Sequence, residues 1–431
     1  MNVVVFNVKY SPNLGDGVIA ECLEAELRNR TGWSVTSIDL AGRTEWKTPG
    51  RSRLRILALD LLTHLPTTVR DAIVATILGR KLHRSLIPLW KQALARANVA
   101  VFGGGQLIQD GDLNFPLKLQ AAAHECAAYA LPMAVYAVGA SPSRSPRGRR
   151  CFSEILSSER LFLAGARDAR SISILKSLGA QPRLTLDPGL LASRTWPSSR
   201  KEVRTRQRAG LCITHPAVIS HHATGGRGVS AGEALDLYEK LAGNLAAQGF
   251  DVLCFTNGAG EDEAALDELR GRMAAGNDNI MFAQRAETPR ALAQTIADCD
   301  VVVAHRLHAT IIAYSYNVPA IGLMWDEKVD AFFELVKRDR HMLPFDQATA
   351  DGIAESARSA IEEGIAAATH AEILAQASAG IDELATEIAK ATARIPAIAA
   401  TPRDRGEQSG GRSRHANAAA QPEAAGARQQ W

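Results

Sequence analysis

Short apolar runs of strand length recur along this chain. Each is followed by a stretch with helical spacing, and the alternation comes in two series. This feature constrains the fold most, because strands that alternate with helices pair in parallel and bury both faces. In the first series the runs fall at 3–8, 99–102, 134–138 and, more weakly, 161–164. The intervening stretches 18–30, 114–130 and 169–178 read as helices, the last closed by Gly179. The second series has strands at 209–214, 251–256, 280–283, 301–304 and 320–323. Its helices lie at 234–248, 263–275, 289–297 and 309–316. The reading is an α/β protein of two Rossmann-like domains with a cleft between them. Ligands of such sheets bind beyond the carboxyl ends of the strands.

The expected boundaries are a first domain at 1–192, a polar linker at 193–208, a second domain at 209–345, helices at 346–396 and a disordered tail at 397–431. That tail is rich in Ala, Arg, Gly, Gln and Ser and has too little apolar surface to offset chain entropy. Inside the first domain, residues 43–96 fit the alternation poorly and read as a solvated helical insertion. Nine Lys/Arg against two Asp between Arg51 and Arg96 give it a local charge of +7. The competing reading of this insertion is peripheral contact with an anionic membrane surface or glycan. Over the whole chain 49 Lys and Arg stand against 46 Asp and Glu, so no long basic field for nucleic acid is expected.

The six cysteines, Cys22, Cys126, Cys151, Cys212, Cys254 and Cys299, form no Cys-x-x-Cys pair. They read as buried free thiols of a reducing compartment, with no metal site. The chain starts directly in a strand pattern, without the marks of a signal peptide. The apolar stretch 56–78 is interrupted by Asp60, His64, Pro66, Arg70 and Asp71, well short of the ~18 apolar residues a span needs. A cytoplasmic protein is expected, with the basic insertion available to the inner face of the membrane.

The sharpest chemical cluster is the run from Val301 to Ala309. Four apolar residues end in His305, Arg306, Leu307 and His308, and a helix begins at once. Arg306 and His308 then sit at the carboxyl end of a strand beside a helix N-terminus, where anions bind. Arg supplies a planar fork for phosphate or carboxylate, and His can carry a proton near neutral pH. Gly103, Gly104 and Gly105 follow another strand and are either an anion-binding nest or a tight turn. After the first strand come Asn13, Gly15 and Asp16. Asp16 either caps the next helix or accepts a hydroxyl proton.

Arg167 follows the fourth run and is either a second anion ligand or the partner of Asp168. Asp187-Pro188-Gly189 reads as a turn. Thr214 and His215, with His221 and His222, read as an acceptor-sugar wall or a metal site, the wall being favoured because their spacing matches no standard metal motif. Thr256-Asn257-Gly258 is a loop first and a ligand contact second. Trp325 is a sugar-stacking or a core residue, and Lys328 a further cation at the cleft.

These clusters, in this order, resemble the polysaccharide pyruvyl transferase family from Asn2 to about Phe333. The match rests on Asn13, Gly15 and Asp16, then Gly103 to Gly105, then Arg167, Asp168 and Ser171, then Asp187 and Pro188. Its most specific piece is Arg306, Leu307 and His308 with Val318, Pro319 and Lys328. The resemblance implies a GT-B-like arrangement of the two domains. It also implies transfer of a pyruvyl group from phosphoenolpyruvate to a sugar or lipid-linked oligosaccharide, giving a pyruvate ketal and phosphate. Arg306 and His308 would then bind the donor and catalyse, with Asp16 or His215 as a proton acceptor. Arg167, Gly103, Gly104, Gly105, Asn13 and Lys328 would complete the donor site, and His215 and Trp325 the acceptor site. No cofactor is implied beyond the donor substrate.

A nucleotide-sugar glycosyltransferase of GT-B shape shares the same features. Its base-and-ribose site would have to come from Glu261, Asp262 and Glu263. A non-catalytic glycan-binding protein is a third reading, against which the intact Arg306 and His308 pair stands.

Overall fold

The structure is a computed structural model. It describes residues 1–46, 67–111, 113–143, 145–198, 204–216, 231–273, 276–324, 327–344 and 349–394. The expected disordered tail, His221, His222 and Trp325 lie outside the described residues, as does part of the basic insertion.

Six strands form the first sheet. They are β1 (Asn2–Asn7), β2 (Ser34–Asp39), β3 (Val99–Ile108), β4 (Met133–Ala140), β5 (Leu161–Ala166) and β6 (Arg183–Leu184), in the order β2-β1-β3-β4-β5-β6. The second sheet has β7 (Arg208–Cys212), β8 (Asp251–Phe255), β9 (Ile280–Phe282), β10 (Val301–Ala304), β11 (Ala320–Met324) and β12 (Met342–Pro344), in the order β12-β11-β10-β7-β8-β9. Every pairing is parallel. In each sheet the order reverses beside the first strand, between β1 and β3 and between β7 and β10. Connections there leave in opposite directions and open a crevice at the carboxyl ends.

The central strands are the ones the apolar runs mark. β4 is buried at all eight positions and β10 at all four. Three strands carry no such run. β2 reads Ser-Val-Thr-Ser-Ile-Asp and is buried only at Val35, Ile38 and Asp39, β6 has two exposed residues, and β12 is half-buried. At the edges of the sheets they are buried only in part, so the sequence needs no continuous apolar stretch there.

Two expectations change. The glycine run does not end β3. The strand continues through Gly103, Gly104 and Gly105 to Ile108, with a shift of register against β4 between Gly105 and Ile108. Gly104 and Gly105 adopt φ of 73° and 76°, which bends the strand, and a Cβ at Gly104 would collide with Ile19. The described part of the insertion is helical, as expected, but it is not a solvated appendage. Helices Thr67–Lys81 and Ile87–Leu94, joined by a π-turn at Leu82–Leu86, bury Leu78, Leu82, Leu86, Trp90 and Leu94 against the first sheet. Trp90 meets Phe6 edge-on at 5.7 Å, and Phe6 stacks on Phe102 at 5.2 Å. Among its described cations, Arg80, Lys81, Arg84, Lys91 and Arg96 are exposed, as expected of the outer side of amphipathic helices.

The helical region expected at 346–396 is two helices with different docking. Ala350–Glu363 packs on the second sheet through Ile353, Ala354 and Ala357. Ala367–Ala393 returns to the first, burying Ile373, Ala377, Ile381, Leu384 and Ile388. Arg30 bonds Asp382 at 2.9 Å, and Arg194 bonds Ser378 at 2.9 Å. One buried cluster therefore runs without a break from Val3 and Leu14 to Ile296, Ile311 and Tyr314. It joins the two sheets below the crevice, and residues 1–394 form one compact unit. Among the described residues, no helix is long and apolar enough to cross a membrane.

Candidate active site

The carboxyl ends of the two sheets face one cavity of about 220 Å³. The first half lines it with Asn13, Asp16, Gln106 and Arg167, and the second with Asn257, His305, Arg306 and His308. A larger hollow of about 640 Å³ runs along β2 and shares none of these residues.

The helix Leu14–Thr31 starts directly at the cavity. Asn13 is its N-cap, its side chain accepting the Gly15 N–H at 3.3 Å, so Asp16 lies inside the first turn and does not cap. Asp16 is thereby released for the cavity. Burial pushes its carboxyl up to about 6, against the opposing effects of a Ser11 hydrogen bond and of Arg43, Arg306 and Arg167. A carboxyl there exchanges protons near neutral pH.

Facing it is His308, in the first turn of the helix Leu307–Ser315, with Nδ1 3.9 Å from Asp16 Oδ1. Gly15 makes this approach possible. A Cβ at Gly15 would lie 2.5 Å from His308 Cβ and 2.7 Å from Nδ1. The two halves also touch through the chain itself. The Leu14 N–H donates to the Asn257 carbonyl at 2.8 Å, which seats the loop after β8 on the start of the helix.

Arg306 follows β10 and is mostly buried. Its Nε and Nη2 lie 2.9 and 2.6 Å from Asp262 Oδ2. Asp262, in the first turn of the helix Gly260–Arg272, is fully buried and takes the His215 backbone N–H on Oδ1 at 2.8 Å. Burial raises this carboxyl, with Arg306 and the His215 N–H pulling against it. His305 is fully buried beside Arg306, and burial followed by that guanidinium lowers its pKa to about 3. The Tyr238 hydroxyl accepts the Thr214 N–H at 3.2 Å and shares a hydrogen bond with His305 Nδ1 at 2.8 Å. His305 is thus a neutral imidazole.

Arg167 follows β5 and is also buried. Its Nη2 donates to Gln106 Oε1 at 3.0 Å and its Nη1 to Asp187 Oδ2 at 3.4 Å, while Nε is 3.6 Å from Asp168. Gln106 is oriented in turn by Ser141, at 2.8 Å. Gly139 leaves room for both, since a Cβ there would collide with Gln106 and lie 2.7 Å from Arg167 Nη2. Asp168 caps the helix Ala169–Ser177 through the Ser171 N–H.

The structure therefore brings Asn13, Asp16, Arg167, Arg306 and His308 to one cavity. Gly103, Gly104 and Gly105 do not line it; they bend β3 past the Leu14–Thr31 helix and deliver Gln106 and Gln109 to the wall. His215 is not a wall residue either, and its described contact is the backbone bond to Asp262. Lys328 lies in the helix Glu327–Leu335, next to the lining residue Val329, and its side chain is not among those described. The sequence reading missed Gln106, Gln109 and the role of Asp262. Gln106 directly follows the glycine run, which was a usable signal. Asp262 could be found only by knowing that β8, β7 and β10 are neighbours.

The family model for polysaccharide pyruvyl transferases matches residues 13–327. No curated protein sequence matches the chain. Among solved structures, the Staphylococcus aureus MnaA–UDP complex is similar, at 10% identity and a TM-score of 0.52, covering 91% of this chain and 97% of that one. UDP-GlcNAc 2-epimerase from Methanocaldococcus jannaschii has 10% identity and a TM-score of 0.46, covering 84% and 92%. Escherichia coli ADP-heptose heptosyltransferase II has 13% identity and a TM-score of 0.41, covering 84% and 99%. At 10% identity the MnaA complex speaks to the fold alone, and with the two parallel six-stranded sheets that fold is GT-B-like.

Proposed function

This chain belongs to the polysaccharide pyruvyl transferase family, and from that premise we propose that it moves a pyruvyl group from phosphoenolpyruvate onto a sugar of a cell-surface glycan or its lipid-linked precursor. The supporting observation is the convergence in one small cavity of two buried guanidiniums, one from each half, with the Asp16 and His308 pair between them. Phosphoenolpyruvate carries a phosphate and a carboxylate on adjacent atoms, and two separately anchored arginines suit such a ligand. About 220 Å³ suits a small anion better than a whole nucleotide sugar, since drug-sized ligands occupy roughly 300–1,000 Å³.

In this reading Arg306 and Arg167 hold the two anionic groups. His308 delivers a proton to the vinyl CH2 carbon, and positive charge develops at C2. A sugar hydroxyl attacks C2 and passes its proton to Asp16, whose pKa of about 6 lets it act as a base at neutral pH. A second hydroxyl displaces phosphate from the tetrahedral adduct and closes the ketal, and its proton leaves with the phosphate. Proton transfer from Asp16 to His308, across the 3.9 Å gap or through a water, restores both groups. The overall change is phosphoenolpyruvate plus a diol giving a ketal plus phosphate.

The test is a thermal-shift screen of the purified protein against phosphoenolpyruvate and nucleotide sugars, followed by acceptor-dependent phosphate release. Phosphoenolpyruvate raises the melting temperature of the wild type and not of Arg306→Ala. His308→Ala loses turnover far more than donor affinity. A shift with a nucleotide sugar and none with phosphoenolpyruvate overturns the reading. Unchanged turnover in His308→Ala removes that residue from the mechanism.

A further inference from the structure

We infer that Asp262 is the positioning residue of the anion site: it fixes the Arg306 guanidinium so that its remaining N–H donors face the cavity. The inference builds on the proposed donor reading but concerns how Arg306 is held.

A guanidinium has five N–H donors. Asp262 Oδ2 accepts the Nε–H at 2.9 Å and forms an ion pair with Nη2 at 2.6 Å, which anchors that side of the guanidinium and leaves Nη1 for a ligand. A long side chain held at two nitrogens has its orientation fixed before any ligand arrives, so less freedom is lost on binding. Asp262 is itself fixed. It is fully buried, it sits on a helix that follows β8, and its other oxygen takes the backbone N–H of His215, just past β7. One carboxylate thus ties the helix after β8, the end of β7 and the arginine after β10. β7 and β10 flank the reversal of order in the second sheet, and β8 is the next strand beyond β7.

Both Asp262 oxygens accept hydrogen bonds, one from an immobile backbone N–H and one from a movable side chain. Asparagine has a single acceptor oxygen. In Asp262→Asn that oxygen goes to the His215 N–H, and the amide NH2 then points at Arg306. Two donors face each other, and the guanidinium moves away. Glu261 provides a contrast. Its carboxylate is 4.0 Å from Arg306 Nη2 but its side chain is 53% exposed, so it contributes charge without fixing geometry.

Calorimetric titration with phosphoenolpyruvate, and separately with inorganic phosphate, tests this on the full-length protein without acceptor. Displacing a binding group by about 1 Å can reduce function by about a hundredfold, so Asp262→Asn is expected to raise Kd by at least about tenfold. The KM for donor rises with it, and the loss falls on KM more than on kcat. Asp262→Glu keeps the charged acceptor at a shifted position and gives an intermediate Kd. Glu261→Gln stays within about twofold of the wild type, as expected for an exposed charge.

Wild-type affinity in folded Asp262→Asn overturns the inference. So does an equal loss in Asp262→Asn and Glu261→Gln, which would make charge alone the cause. Should Asp262→Asn fail to fold, wild-type affinity in Asp262→Glu overturns it. A protein that binds phosphate but not phosphoenolpyruvate refutes the donor reading and leaves the phosphate series to decide on Asp262. Binding of neither refutes both.

Discussion

Replacing Asp16 with asparagine should make this protein more stable and less active, and the stability gain should depend on pH. Burial lifts the Asp16 carboxyl from 3.8 to about 6. Each tenfold change in a protonation equilibrium is about 1.36 kcal/mol, so the ionised carboxylate costs the folded state about 3 kcal/mol at high pH. The sign follows from the order of the two values. The folded pKa lies above the unfolded one, so the favourable contribution is complete below about pH 3.8 and is lost as pH rises through about 6.

An asparagine side chain carries no charge, and its amide oxygen can still accept the Ser11 hydrogen bond. Asp16→Asn should therefore match the wild type at pH 4 and exceed it by about 3 kcal/mol at pH 8. For the unit of residues 1–394, an unfolding entropy of about 2.1 cal/mol/K per residue turns this into about 3–4 °C in melting temperature. Calorimetric scans of both proteins at pH 4, 6 and 8 measure it, with donor turnover followed in parallel. Removing a general base lowers turnover by about a hundredfold. A gain of equal size at all three pH values would refute the argument, because a packing improvement has no pH dependence. Equal or lower melting at pH 8 would show that the carboxylate is well solvated.

Three further outcomes follow from particular contacts. Gly15→Ala favours the helix intrinsically by about 1 kcal/mol but places a Cβ 2.5 Å from His308, so kcat should drop at least about tenfold while the melting temperature does not rise by the full helix gain; steady-state kinetics with thermal scans read both. His305 is held neutral with a pKa near 3, so its imidazole resonances should not titrate between pH 5 and 8. Its contribution to stability is complete above the ordinary 6.5 and is lost as pH falls toward about 3, which NMR titration and acid unfolding check together. All six cysteines are buried and form no disulfide, and burial raises the pKa of Cys22, Cys126, Cys151, Cys212 and Cys254. Ellman's reagent should therefore titrate six thiols only after denaturation, and rapid reaction of the native protein would contradict the packing.

The sequence by itself determined the central strands, the two-sheet α/β organisation and the strand-end placement of Arg306, His308, Arg167 and Asp16. It could do so because a buried parallel strand must be apolar throughout, and because a polar residue directly after one must lie at the carboxyl end. The strands β2, β6 and β12 left no such mark, since edge positions bury too little to demand it. The part played by the glycine run also needed the fold. Gly103–Gly105 read as a strand end with a ligand nest or a tight turn, but the space beside Gly103 and Gly104 is taken by Leu23 and Ile19 of the neighbouring helix. Gly15 and Gly139 matter for a comparable reason, each clearing room for a side chain distant in sequence, His308 in one case and Arg167 in the other. Only the tertiary structure decided the partners. Asp262 meets Arg306 across 44 residues, Gln106 meets Arg167 across 61, and Asp16 faces His308 from the other half of the molecule. Strand order and sheet packing set those pairings, and neither is encoded in local spacing.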